Sequence, residues 1–257
     1  MTKPKAGSQD FLGRVRELGA DPLNKHIPAC AGAGRECEPG WIRMHNGLKV
    51  RVMPGFWKYA LTHNKSVHEP QEEYAFGQVL SLIPEGGTMI ELGAYWAFYS
   101  MWFNTSVPNA RNLMVEPLPD NLRYGKDNFA ANGLKGEFFC DWVGRGDFTL
   151  ENFMDKNNVK SADIVHADIQ RAELTLLRGS GPLLEAKRVK CFFISTHSQE
   201  IHHACTAILK DSGYDIIASA DFDYETFCHD GVLVAALSDL RWPVIELTQC
   251  VEPPKGG

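Results

Sequence analysis

Short apolar runs separated by longer amphipathic stretches organise this chain from Thr88 onward. Runs of strand length lie at Met89–Leu92, Asn112–Glu116, Glu137–Cys140, Ile164–Asp168, Cys191–Ser195, Tyr214–Ala218 and Val232–Leu237. The stretches Trp96–Asn104, Asp120–Asn132, Arg171–Gly179 and Gln199–Ser212 fill most of the gaps and predict helices. Strands alternating with helices form a mostly parallel sheet covered on both faces. The last two runs are separated only by Ser219–Gly231, which has no room for a crossover helix. Those two strands are therefore expected to pair antiparallel.

The pattern is different before Thr88. Met1 to about Gly40 holds turn formers, charge and little periodicity apart from an amphipathic piece at Phe11–Leu18, and reads as a loosely attached arm. Trp41–Tyr59 alternates apolar and polar residues around Asn46-Gly47 and Pro54-Gly55, a hairpin signature. Glu72–Ile83 sets Tyr74, Phe76, Val79, Leu80 and Ile83 on one helical face, ahead of a Pro84-Glu85-Gly86-Gly87 turn. The division expected is an extension over residues 1–71, placed to act as a lid or substrate cap, and a main domain over 72–257.

Chemistry concentrates where the apolar runs stop. The first ends at Glu91 and a Gly93-Ala94 turn; the second ends at Glu116. Strand, glycine turn, helix, strand, acid is the first half of a nucleotide-type site in a doubly wound sheet. Glycine lets backbone approach a ligand closely, and a carboxylate at the second strand tip can accept both ribose hydroxyls. A site for S-adenosylmethionine also needs a polar or flat apolar contact for adenine, which Asp141-Trp142 after the third strand can supply. Taken singly, each element is more commonly structural; their order along the strands favours the cofactor. The turn lacks a full GxGxxG, with Ala97 where a third glycine would stand. In the aromatic helix, Phe98, Trp102 and Phe103 read as core, while Tyr95 lies in the turn itself.

Residues for the reacting end are expected on the fourth and fifth parallel strands. His166 and Asp168 are two apart on one strand and share a face; His197 follows the next. A histidine near neutral pKa suits general-base work, with Asp168 orienting it or the acceptor. Asp168 and His197 come first; for His166, the ordinary reading as a satisfied core histidine is the stronger. His202 and His203 read as helix surface, and His68-Glu69 as either an ordinary loop or a segment folded over the site. A metal held by His166, Asp168 and His197 ranks below a metal-free base. The acids of Ser219–Gly231 (Asp221, Asp223, Glu225, Asp230) read first as solvated turn residues, and otherwise as the border of a site for a cationic or hydroxyl-rich acceptor.

Composition narrows the class. A chain of 257 residues with 44% hydrophobic and 23% charged residues is an ordinary globular domain. A net charge of −6 without a basic run argues against nucleic acid. The polar opening MTKPKAGSQD argues against export, and no apolar run reaches membrane-spanning length. The seven scattered cysteines, without CxxC spacing, fit reduced thiols in the cytoplasm better than disulfides or zinc. The partner expected is a small-molecule acceptor, with no nucleic acid and no membrane; a homodimer is left open.

Three segments carry a family resemblance. MIELGAYWAFYS resembles the first motif of the FkbM-type S-adenosylmethionine-dependent methyltransferases, close to DxGAnxGxxS in its usual form. VEPLPDNLRYGKDNFAANG is similar to their second motif, a Glu-Pro followed by paired asparagines. ADIVHADIQRAELTLLRGS resembles their later block, KxDxEGxExxxLxG. The matches run in order from about Glu72 to Gly213. The resemblance implies a class I methyltransferase fold: a Rossmann-like, doubly wound α/β sheet, mostly parallel with an antiparallel C-terminal strand, plus the N-terminal extension. It implies Glu91, Gly93, Ala94 and Tyr95 at the methionine end, Glu116 with Asn121 at the ribose, and Asp141 with Trp142 near adenine. Tyr95, Ala97 and Gln170-Arg171 depart from the motifs, the last pair removing a carboxylate at the catalytic edge. The function expected is methyl transfer from S-adenosylmethionine, most of all O-methylation of a sugar or natural-product acceptor. The alternatives are N-methylation of an amine or amide, and a methyltransferase-like module that binds without turnover.

Overall fold

The computed structural model describes residues 11–52, 56–145, 148–227 and 229–250. In chain order these form α1 (Phe11–Ala20), a short 3-10 turn (Pro22–Lys25), β1 (Glu36–Glu38), β2 (Trp41–Arg43), β3 (Lys49–Arg51), α2 (Phe56–His63) and α3 (Pro70–Leu80). There follow β4 (Thr88–Leu92), α4 (Phe98–Ser106), β5 (Arg111–Val115), α5 (Pro119–Ala131), β6 (Glu137–Phe139), α6 (Leu150–Lys156) and β7 (Ala162–Ala167). The last elements are α7 (Glu173–Arg178), α8 (Gly181–Glu185), β8 (Val189–Thr196), α9 (Gln199–Asp211), β9 (Tyr214–Ala220) and β10 (Gly231–Leu237).

The main sheet has seven strands in the order β6-β5-β4-β7-β8-β10-β9. All run parallel except β10, which lies antiparallel between β8 and β9. The short connection from β9 to β10 forces that reversal, as expected. Side chains alternate across the sheet and divide the core. One set, including Met89, Ile164, Phe193 and Val234, packs with Phe76 of α3, Phe98 and Met101 of α4, and Phe129 of α5. The other, including Ile90, Val165, Phe192 and Leu233, packs with α6, α7, α8 and α9 through Met154, Leu177, Leu183 and Leu209. Each fully buried apolar side chain of this size contributes roughly 1.5–3 kcal/mol.

Several expectations change. The stretch before Gly40 is not loosely attached where it is described: Leu23 and Ile27 are buried and β1 pairs with β2. Buried Asp21 accepts hydrogen bonds from Leu23 N at 2.8 Å and from Thr248 Oγ1 at 2.6 Å, tying this segment to the C-terminal tail. The hairpin around Asn46-Gly47 is present, but Phe56–Tyr59 opens α2 instead of extending it. There Ala60 and Leu61 are buried between exposed Lys58-Tyr59 and Thr62-His63, a helical pattern. The Pro54-Gly55 turn and Met1–Asp10 lie outside the described residues. The helices α6 and α8 add to those the pattern predicts, their apolar periodicity being too short to mark them.

The extension is docked by polar chemistry as well. Asn128 of α5 and Asn132, which caps its end, act as an adjoining edge for β3: their Oδ1 atoms accept from Arg51 N and Lys49 N, both at 2.9 Å. Deeper in, Glu73 of α3 lies between His45 and His68, at 2.7 Å from each. Its carboxylate also accepts the backbone N–H groups of His68 and Glu69 at 2.7 and 3.0 Å. Burial alone would raise the Glu73 pKa, but the two histidines outweigh it and hold the carboxyl well below the usual range.

Replacing Glu73 by Gln removes one side of a buried ion network and is expected to destabilise the protein by about 3–5 kcal/mol. Lys49→Ala, which breaks the surface pair with Glu38, is expected to cost less than about 1 kcal/mol. Urea denaturation of the two variants measures the contrast.

Candidate functional site

Strand order reverses between β5-β4 and β7-β8, and the carboxyl ends there form the crevice where open α/β sheets bind ligands. The turn leaving β4 is held tightly. Gly93 N and Ala94 N both donate to Val115 O, at 2.8 and 3.0 Å. Gly93 takes φ +77°, and a Cβ there would lie 1.8 Å from Asp168 O, so no side chain fits. Tyr95 and Ala97 also take positive φ, 42° and 58°. Ala97 thus adopts the backbone that the missing glycine would have adopted, which delays α4 to Phe98.

The acids around this turn have separate tasks. Glu91 is buried, and its Oε2 accepts from Ser100 N at 3.2 Å, in the first turn of α4. Burial pushes its carboxyl up to about 7, opposed by His166. Glu116 is also buried: Oε2 accepts from Tyr95 N at 3.1 Å, while Oε1 accepts from Leu118 N at 3.0 Å and Asn121 Nδ2 at 3.3 Å. It therefore joins the β4 turn to the start of α5. Past β6, exposed Asp141 accepts from Trp142 N at 2.8 Å, and Trp142 is 41% exposed with the Arg145 guanidinium 4.1 Å from its ring centroid.

At the other half of the crevice, Asp168 and His197 meet. His197 Nδ1 is 2.7 Å from Glu173 Oε1, and its Nε2 is 3.3 Å from Asp168 Oδ1 and 3.4 Å from Asp230 Oδ1. Burial would lower the histidine's pKa, but hydrogen bonds to Asp168 and Glu173 and the charge of Asp230 push it up to about 11. The imidazole is thus held as a cation. Asp168 is 31% exposed. Gln170 Nε2 donates to the same Oδ1 at 3.1 Å, and Oδ2 takes no hydrogen bond among the described residues. Gln170 and Arg171, where the FkbM block has Glu-Gly, both take left-handed backbone with φ 49° and 80°, and this shortens the following helix to α7.

His166 is separate from this pair. It is buried on the α3 side of the sheet, its Nε2 is 2.5 Å from Glu72 Oε1, and Ser195 Oγ donates to Glu72 Oε2 at 2.9 Å. It is the core histidine that its apolar strand favours. Among the described residues no group of three His, Cys, Asp or Glu side chains is arranged to hold a metal ion. His202, expected at the surface, is buried instead, bridging Thr196 Oγ1 at 2.9 Å and Ser219 Oγ at 3.0 Å, because that face of α9 packs on the sheet. Asp221 shapes its own turn, accepting from Tyr224 N and Glu225 N at 2.8 and 2.9 Å, so only Asp230 of the loop acids reaches His197. The parts played by Glu173, Glu72 and Glu73 are not marked in the sequence. Glu173 stands inside the later block as a helix-start acid, and the other two open α3; nothing in a single sequence identifies their partners.

No protein-family model matches the chain, and no curated protein matches it. Among solved structures it is similar to a Streptococcus mutans protein described as a presumptive S-adenosylmethionine-dependent methyltransferase. That match has a TM-score of 0.53 and 11% identity, covering 79% of this chain and 57% of that one. A precorrin-6y C5,15-methyltransferase from Geobacter metallireducens aligns with a TM-score of 0.44 and 17% identity, over 64% of this chain and 88% of that one. The first likeness shows the fold, a Rossmann-like α/β sheet of the methyltransferase type. Among the described residues no helix is long and apolar enough to cross a membrane.

Two outcomes are expected. Gly93→Ala must push the Asp168 backbone away, and so should lower thermal stability and any affinity the crevice has for ligand; scanning calorimetry and titration measure both. His197 should stay doubly protonated up to about pH 9 by 15N NMR. Its folded pKa lies above its unfolded value near 6.5, so its stabilisation is full below pH 6.5 and fades as pH rises towards 11. Stability of the wild type should therefore fall more steeply than that of His197→Asn across this window.

Proposed function

We propose that this chain is an S-adenosylmethionine-dependent methyltransferase of FkbM type that O-methylates a small sugar or natural-product acceptor. The observation that carries the reading is the layout of the crevice. A turn too tight for a side chain leaves β4, an indole stands 41% exposed past β6, and a partly exposed carboxylate, Asp168, follows β7. These groups fit an adenosyl sulfonium in chemistry: backbone for the amino-acid part, acid and amide for the ribose, an aromatic plate for adenine and negative charge for sulfur. Gly93, Ala94 and Tyr95 would hold the methionine end, Glu116 and Asn121 the ribose, and Asp141 and Trp142 the adenine, with Glu91 supporting the turn from α4. When bound, S-adenosylmethionine supplies an electrophilic methyl group.

The protein's own contribution is alignment and charge. Asp168, with Oδ1 held by Gln170 and 3.3 Å from His197, presents its other oxygen to an acceptor hydroxyl next to the one that is methylated. His197 stands beside Asp168 as a cation, which replaces the neutral base expected for it. In this reading the described part of the extension, up to residue 71, serves as the lid or substrate cap. An amine acceptor is the second reading, favoured because two partly exposed carboxylates, Asp168 and Asp230, flank a histidine that is already cationic.

Titration calorimetry with S-adenosylhomocysteine and with NAD tests the proposal. S-adenosylhomocysteine alone is expected to bind, and Trp142→Ala is expected to weaken it by about tenfold, corresponding to about 1.4 kcal/mol. Binding of NAD in its place would overturn the reading. Methyl transfer from labelled S-adenosylmethionine to panels of hydroxyl and amine acceptors separates the two acceptor classes, and binding without transfer to either would favour a silent module.

A further inference from the structure

His197 is a fixed cation and Asp168 is taken up in orienting the acceptor through a neighbouring hydroxyl, so neither takes the proton of the hydroxyl that is methylated. Glu69 stands beside it. This residue precedes α3, and its carboxyl is held on one oxygen only: Oε2 accepts the Tyr99 O–H at 2.7 Å and lies 3.4 Å from His68 Nε2. Its Oε1 takes no hydrogen bond among the described residues, and the side chain is 19% exposed. The Tyr99 ring that binds Glu69 stacks on His166 of β7 with centroids 4.3 Å apart, two residues before Asp168, and Asp168 is near enough to act on the Glu69 carboxyl electrostatically.

We propose that Glu69 is the proton acceptor of the transfer site, delivered to the carboxyl end of the sheet by the segment before α3. The proposal rests on the methyltransferase reading above. As the acceptor oxygen bonds to the methyl carbon, the carbon–sulfur bond breaks and its electron pair stays on sulfur as a neutral thioether. The acceptor's proton passes to Glu69 Oε1.

The groups facing Glu69 are His68 beside it, Glu72 and Glu73 of α3, Tyr99 of α4 and Asp168 after β7. Burial pushes its carboxyl up to about 8; His68 and the Tyr99 hydroxyl oppose the rise, and Glu72 and Asp168 add to it. At neutral pH the group is therefore mostly protonated. A cationic sulfur nearby favours the ionised form, so the base becomes available when the methyl donor is in place.

Calorimetry in buffers of different ionisation enthalpy tests this without an identified acceptor. At pH 7, S-adenosylmethionine should release more protons than neutral S-adenosylhomocysteine, by on the order of one per site. Glu69→Gln should abolish that difference while both ligands still bind. Equal proton release by the two ligands in the wild type, or a difference that survives in Glu69→Gln, overturns the inference alone. If neither ligand binds, the methyltransferase reading and this inference fall together. Should Glu69→Gln not fold, 13C NMR of glutamate-labelled wild type gives the same answer. A carboxyl titrating near pH 8 that moves down with S-adenosylmethionine, but not with S-adenosylhomocysteine, supports it; the absence of such a carboxyl overturns it.

Discussion

The close approach of Gly93 to the backbone of Asp168 sets the geometry on which the rest of the crevice depends. With no Cβ to separate them, the end of β4 and the end of β7 close to a distance that other residues cannot reach. Gly93 and Ala94 then share the Val115 carbonyl, Tyr95 turns its N–H to Glu116, and α4 cannot start before Phe98. One missing methyl-sized group thereby couples three strand ends. The left-handed backbone at Tyr95 and Ala97 is the strain that accompanies it, held in place because Glu116 and the packed helix α4 determine the turn from both sides.

Beneath the crevice, the α3 side of the sheet buries an unusual amount of charge. Glu72, Glu73, Glu91, His68 and His166 are all buried, and each has a partner of complementary chemistry within the core. Such groups gain little net stability over apolar ones, but losing one partner is costly. The arrangement therefore acts on specificity of assembly: the hairpin, α3 and the central strands can dock in only one register if every carboxylate is to find its histidine or N–H. It also puts ionisable groups within electrostatic range of Asp168, which an apolar core would not do.

The reacting end shows how surroundings redirect a side chain. His197 has the residue type of a general base, yet three carboxylates around it make its charged form the stable one. Gln170, standing where the FkbM motif it resembles carries an acid, donates to Asp168 instead of adding a further negative charge beside it. Had that position been Glu, the like charge would have raised the protonation of one of the pair.

Much of the fold is legible in the amino-acid sequence. The apolar runs from Met89 to Leu237 mark all seven strands of the main sheet, and the short Ser219–Gly231 link implies the antiparallel strand, because strand length and crossover length are local properties. Gly93, Glu116, Asp141 and Asp168 fall at strand ends for the same reason. The tertiary structure alone decided which partner each charged group has. Glu72 lies 94 residues from His166, and Gln71 lies 154 residues from the Glu225 carbonyl it bonds. Docking of the described residues before Gly40, burial of His202 and the charge on His197 follow from such distant pairings. Periodicity reports which face of an element is buried; the pKa and orientation of a side chain depend on what other elements bring against that face, and that is written nowhere in its own neighbourhood.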